Sequence, residues 1–145
     1  ATEGEALAGV LLGHVASIEK LTQRAEADPS RSADTIRARL KEQVDLLTSA
    51  MEPLDPARLN QEAALLAAKA DLREEIDRLI AHVAAARTLL QGDGPVGRKL
   101  DFLAQEFNRE ANTLCSKSNS TSITEIGLEL KLAIDQFREQ LQNLE

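Results

Sequence analysis

Tryptophan and tyrosine are absent from this 145-residue sequence, and phenylalanine occurs three times. β-Branched residues are also few, with five Val and seven Ile against 23 Leu and 22 Ala. Strands draw on β-branched and aromatic side chains, so this mixture speaks against a sheet protein and for helix. The single cysteine, Cys115, cannot make an internal disulfide, which points to a reducing compartment. No apolar run approaches the ~18 residues of a membrane span, and the opening residues carry no signal-peptide pattern. The expectation is a cytoplasmic protein without membrane contact. Basic charge is short as well: 17 Lys and Arg face 24 Asp and Glu, for a net charge of −7. A free-standing, non-specific nucleic-acid binder is normally basic, so the balance counts against that role for the chain alone. The only methionine is Met51, and position 1 is Ala, as expected either of a chain whose initiator was removed or of a piece of a longer protein.

What is present is a 43% apolar content, enough to fill one core at this length. Helical punctuation divides the chain into five segments, and no alternating strand pattern competes. Thr2 with Glu5 resembles a capping box, after which Leu7, Leu11, His14, Ile18, Leu21 and Ala25 recur at helical spacing. Asp28-Pro29-Ser30 ends that segment. A second opens near Ser32 with Ile36, Leu40, Val44, Leu47 and Met51 before Pro53. Asp55-Pro56 then predicts a helix start, since Asp accepts from orphan amides and Pro at the first helical position loses nothing.

From Ala57 to Gln91 no Gly or Pro interrupts, which predicts one long helix with a seam of Leu72, Ile76, Leu79, Val83, Ala86 and Leu90. Gly92-Asp93-Gly94-Pro95 permits a reversal into a fourth helix, about Val96 to Ser116, carrying Leu100, Leu103, Phe107, Ala111 and Leu114. Ser122 with Glu125 predicts the cap of a fifth, whose seam runs Ile123, Ile126, Leu130, Ile134, Phe137, Leu141 and Leu144. The predicted fold is all-α: two lead-in helices over residues 1–56, then three long helices over 57–145 packed as an antiparallel coiled bundle.

Two charged stripes stand out. Asp71, Glu75, Arg78 and His82 are spaced to share one line of the third helix, about 100° from its apolar seam. Carboxylates, a guanidinium and an imidazole in line suit a divalent metal, a phosphate or proton transfer. The same spacing also suits ordinary i,i+4 ion pairs on a solvated face. On the fourth helix Lys99, Glu106, Glu110, Thr113 and Lys117 share one stripe, and Asp101, Gln105, Asn108 and Asn112 another. Asn is a mediocre helix former, so either a function or helix register accounts for that second set. His14 reads as a seam histidine, and Cys115 as a small helix-end residue.

Residues 94 to 119, GPVGRKLDFLAQEFNREANTLCSKSN, together with the terminal REQLQNLE, closely resemble the end of the bacterial YicC/YloC family. Gln61-Glu62, Ala64-Leu65-Leu66-Ala67, Lys69-Ala70-Asp71, Glu74-Glu75, Arg78-Leu79 and His82 look like the segment that precedes it there. The resemblance is specific over about residues 60 to 145 and slight before 57. Cys115 stands where that family usually has Gly or Ala, Ser120-Thr121 where an acidic-small pair is usual, and Ile80-Ala81 where a polar pair is common.

The resemblance implies the C-terminal half of a protein about twice as long, lacking its N-terminal α/β domain. It implies a divalent-metal-dependent endoribonuclease, with Mn or Mg as the ion, acting in small-RNA turnover and assembled as a homo-oligomer, a hexamer in the family. With that activity in view, residue type and stripe membership make Asp71, Glu75, Asp101 and Glu110 the expected metal ligands, and His82 with Glu75 the catalytic pair. Arg78, Lys99, Arg109 and Lys117 are expected on the RNA phosphates. The competing expectation is a non-catalytic helical module that builds the oligomer and positions an RNA-binding N-terminal half. Stripes buried against a neighbouring helix would mean structure, and stripes opening into one cleft a site. With so few aromatics, base stacking is not expected to be this half's way of holding RNA.

Overall fold

The computed structural model describes residues 2–47, 55–92 and 94–143, and these are all-helical, with no strand among them. Six α-helices follow in order: α1 Thr2–Ala27, α2 Ala33–Leu47, α3 Pro56–Lys69, α4 Arg73–Gln91, α5 Gly97–Lys117 and α6 Thr121–Leu141. A short 3-10 turn, Pro29–Arg31, links α1 to α2. Asp28 caps this turn, its side chain accepting from Ser30 N at 2.8 Å. Ser32 Oγ accepts from Thr35 N at 3.1 Å and opens α2, and Asp55 accepts from Ala57 N ahead of Pro56 to open α3. Met51, Pro53, Leu144 and the cap expected from the Thr2 side chain lie outside the described residues.

The long segment 57–91 is two helices rather than one. Its break falls at Ala70–Leu72 without any Gly or Pro. Asp71 takes over the turn there, its carboxylate accepting from Arg73 N at 3.0 Å, a local bond that competes with helix continuation. Leu72 is then free to enter the core, where it is 1% exposed. The cap of α6 is likewise Ser120 and not Ser122: Ser120 is the extended residue, and its hydroxyl accepts from Ile123 N at 3.2 Å.

Helix α1 packs on α4 and α6, and α5 packs on α4 and α6, so four helices close a ring around one core. The bundle is therefore not built from the last three helices alone, and α1 is no lead-in: Leu11, Val15, Ile18 and Ala25 share a cluster with Leu79, Phe107 and Phe137. Its buried line runs 11, 15, 18, 22, 25 and not through His14, which is half-buried. Thr22 can sit in that line because its hydroxyl donates to Ile18 O at 2.8 Å. The predicted seams of α4 and α5 are buried throughout, as is that of α6 through Leu141. Helices α2 and α3 pair with each other and join the ring through the 3-10 turn. Gly94, at φ +100°, takes a left-handed conformation in the reversal between α4 and α5. No described helix is long and apolar enough to cross a membrane.

Candidate functional site

Residue numbers rise along α4 as they fall along the facing side of α5. Glu75, Arg78 and His82 therefore meet Lys117, Glu110 and Glu106. The two predicted stripes thus face each other across one seam, which neither helix's spacing could show. Glu75 is buried, with its side chain 3% exposed, and both its oxygens lie 3.2 Å from Lys117 Nζ. Lys117 also donates to the Asp71 carbonyl at 3.3 Å. Arg78 donates through Nε to Glu110 Oε1 at 2.8 Å and through a terminal nitrogen to Glu75 Oε2 at 3.2 Å. The Glu110 hydrogen bond holds the Arg78 guanidinium above its ordinary pKa, against the opposing effect of burial and with help from the charges of Glu110, Glu75 and Glu74. The acids thus point inward, while Arg78 and Lys117 keep 45% and 37% of their side chains exposed.

One turn further along α4, His82 Nε2 is buried and has no hydrogen-bond partner among the described residues. It lies 4.0 Å from Glu106 Oε2, too far for a hydrogen bond. Its ring meets Phe107 edge-on, with centroids 6.2 Å apart. Glu110 Oε2 is the other buried atom left without a partner, since Arg78 takes only Oε1. An unsatisfied buried polar atom costs roughly 1–3 kcal/mol, so two along one seam call for an explanation beyond packing.

The other expected site residues are elsewhere. Asp71 is exposed in the α3–α4 connection. Asp101 lies nine positions before Glu110 on α5, about 13.5 Å along the axis, and accepts from Gln105 at 3.1 Å. Lys99 is exposed still nearer the start of α5, and Arg109 reaches only to 4.0 Å from Glu106 with its side chain 76% exposed. Asp71, Glu75, Asp101 and Glu110 consequently do not converge, and the oxygens of Glu75 are already spent on Lys117 and Arg78. No group of three or more His, Cys, Asp or Glu among the described residues is arranged to hold a metal ion. These donors do not fit one resident divalent ion.

The Asn stripe stays apart: Asn112 is exposed, Asn108 half-buried, and neither makes a side-chain hydrogen bond among the described residues. Glu106, which faces His82, belongs to the stripe of Lys99 and Lys117, and its i,i+4 relation to Glu110 is the signal that could have singled it out.

A family described as "Endoribonuclease YicC-like, C-terminal" matches residues 24–145. The chain belongs to that family. It is similar to a probable endoribonuclease YicC of Haemophilus influenzae, with 43% identity over 99% of this chain and 49% of that protein. A probable endoribonuclease YicC of Clostridioides difficile is 36% identical over 94% of this chain and 44% of its own length. The chain thus spans about half the length of these relatives. Similarity to the Haemophilus influenzae protein reaches across almost the whole chain, α1 included, further than the resemblance read from residues 60 to 145.

Proposed function

We propose that this chain is the C-terminal part of an endoribonuclease and that the α4–α5 seam contributes to its RNA-cleaving site. One observation carries the reading: His82 Nε2 and Glu110 Oε2 are buried and unpartnered on the seam where Arg78 and Lys117 remain part-exposed. Cleavage of an RNA phosphodiester needs a group that moves a proton and cations that steady charge on the phosphate. His82 supplies the first, since an imidazole nitrogen can both accept and donate a proton and its Nε2 is uncommitted. Arg78 and Lys117 supply the second, with Arg109 and Lys99 along the approach. Glu75 acts by position: it fixes Lys117 and Arg78 and does not itself touch substrate. The antiparallel coiled packing of α4, α5 and α6 keeps the two stripes in register.

A divalent requirement for Mn or Mg, a homo-oligomer such as the family's hexamer, and a role in small-RNA turnover belong to the same proposal. No ligand set in this chain is assigned to the ion, and no step is routed through it.

A second reading, a purely structural module, draws on the complete pairing of Glu75 with Lys117 and Arg78. The experiment that decides compares cleavage of labelled single-stranded RNA, with Mn²⁺, Mg²⁺ or a chelator, by wild type and His82→Ala. It uses both this chain and the protein at the relatives' full length. The expected loss is about 10²- to 10⁴-fold, as for removal of a general acid or base, in a variant shown by its circular dichroism and cooperative melting to be folded. Undiminished cleavage by both His82→Ala and Glu75→Ala overturns the catalytic reading in favour of the structural one.

A further inference from the structure

Of the three phenylalanines, Phe107 and Phe137 are fully buried, while Phe102 on α5 is 59% exposed. It stands at the edge of an open groove of about 570 Å³ between the C-terminal half of α4 and the start of α5. Ala85, Thr88 and Leu89 form the α4 wall, and Arg98, Lys99 and Phe102 lie on the α5 side. Arg98 and Lys99 precede Phe102 by four and three positions, so all three share one face of the helix. Among the described residues neither cation makes an ion pair, and no carboxylate lines the groove. Arg98 also lines a second cavity, on the Arg138 side of α5, together with Asp101, but makes no ion pair with it among the described residues, and the Asp101 carboxylate accepts from Gln105.

A bare aromatic face beside two uncommitted cations and a small apolar wall matches the chemistry of an unpaired nucleotide. The ring takes the base, the apolar wall its second face or edge, and the cations the flanking phosphates. We propose that Phe102 is a stacking platform for one unpaired base of single-stranded RNA, with Arg98 and Lys99 on the phosphates either side of it. This rests on the reading of RNA as substrate. It puts one stacking position where the aromatic-poor composition suggests none.

The chain has no Trp or Tyr, so Phe102→Trp creates a fluorophore reporting on that position alone. Titration with a single-stranded RNA oligonucleotide is expected to quench it, and an abasic oligonucleotide of the same length, which offers phosphates without bases, is expected not to. Phe102→Ala and Phe102→Leu should both weaken single-stranded RNA binding, by roughly five- to a hundredfold, and leave melting temperature unchanged because the side chain is largely exposed. Full-strength binding by both variants, or equal quenching by the abasic strand, overturns the proposal. So does a change of oligomeric state in Phe102→Ala with RNA binding intact, which would make the groove a protein interface. His82→Ala separates the two readings. If it abolishes cleavage while the Phe102 variants bind normally, stacking fails and the catalytic reading stands. If it cleaves normally while the indole is still quenched, the reverse holds. Absence of RNA binding by the wild-type protein overturns both.

Discussion

Arg78 Nε donates to Glu110 Oε1 at 2.8 Å, joining a half-exposed cation on α4 to a carboxylate on α5 whose side chain is 2% exposed. The pair is asymmetric, and so are the consequences of breaking it. Removing the acid leaves a cation that can turn to water, whereas removing the cation strands a buried anion. Arg78→Met should therefore lower the melting temperature clearly more than Glu110→Gln. Thermal denaturation of the two variants side by side checks this, and the opposite order would mean that the burial of Glu110 does not depend on Arg78.

The α1–α4 contact should give part of the stability its pH dependence. Arg87 grips both oxygens of Glu19, at 2.5 and 2.8 Å. That hydrogen bond is the main reason the Glu19 carboxyl lies below its ordinary value, outweighing burial, which raises it, and reinforced by the Arg87 charge. Asp28 is lowered too: burial pushes it up, but hydrogen bonds from Ser30 and Ser122 and the nearby Arg39 charge prevail. A depressed carboxylate contributes stability above its unfolded-state pKa and loses it as pH falls through the folded one. Urea midpoints of the wild type should thus drop through and below the usual carboxylate range. Glu19→Gln should show a smaller drop, and parallel curves for the two proteins would contradict the account.

Gly127 of α6 is a packing glycine. A Cβ there would come within 2.6 Å of Cys115 Sγ on α5, the other nearest atoms being at 3.7 Å or more. Gly127→Ala gains up to about 1 kcal/mol in helix propensity, but crowding in a filled interface costs typically 1–3 kcal/mol. The single variant should be destabilised or neutral, and Cys115→Ala/Gly127→Ala more stable than Gly127→Ala. A double-mutant cycle by chemical denaturation measures the coupling, and additivity within error would show that the contact is absent.

Ser120 caps α6, its hydroxyl accepts from Ser30 Oγ at 2.8 Å, tying the turn after α1 to the start of α6, and it lies 3.3 Å from Ser122 Oγ. Ser120→Ala should cost about 2 kcal/mol, combining a lost cap with an unpaired buried hydroxyl. Ser122→Ala, two residues further on and exposed, loses only that hydroxyl's contacts with Asp28 and Ser120 and should cost less. Equal costs would return the cap to Ser122.

The apolar seams of α4, α5 and α6 were legible because helical periodicity records which face of a helix is buried, whatever buries it. Asp55-Pro56, Ser32 and the glycine-rich reversal were legible because caps and turns are local chemistry. His14 was mistaken for Val15 on α1 because both fit a spacing of three or four, and only the neighbouring helices choose between them. The break at Ala70–Leu72 carries no Gly or Pro signal: the Asp71 turn is local, but the burial of Leu72 and the return of α3 onto α2 select it over a continuous helix. Glu75 and Glu110 both lay on recognised stripes, yet their burial could not be read from them: a carboxylate enters a core only when cations from another helix accompany it.

By itself the sequence determined an all-helical chain, its main apolar faces and its family, since propensity, periodicity and motif identity are properties of residues close together in the chain. Tertiary structure decided that α1 completes a ring of four and that one long segment bends at Asp71. It also decided that the His82 and Lys117 stripes close on each other and that Phe102 alone of the aromatics faces water. Each of these depends on the free energy of bringing distant segments together, through shared burial, paired charge and close approach at Gly127, and no single helix carries that information.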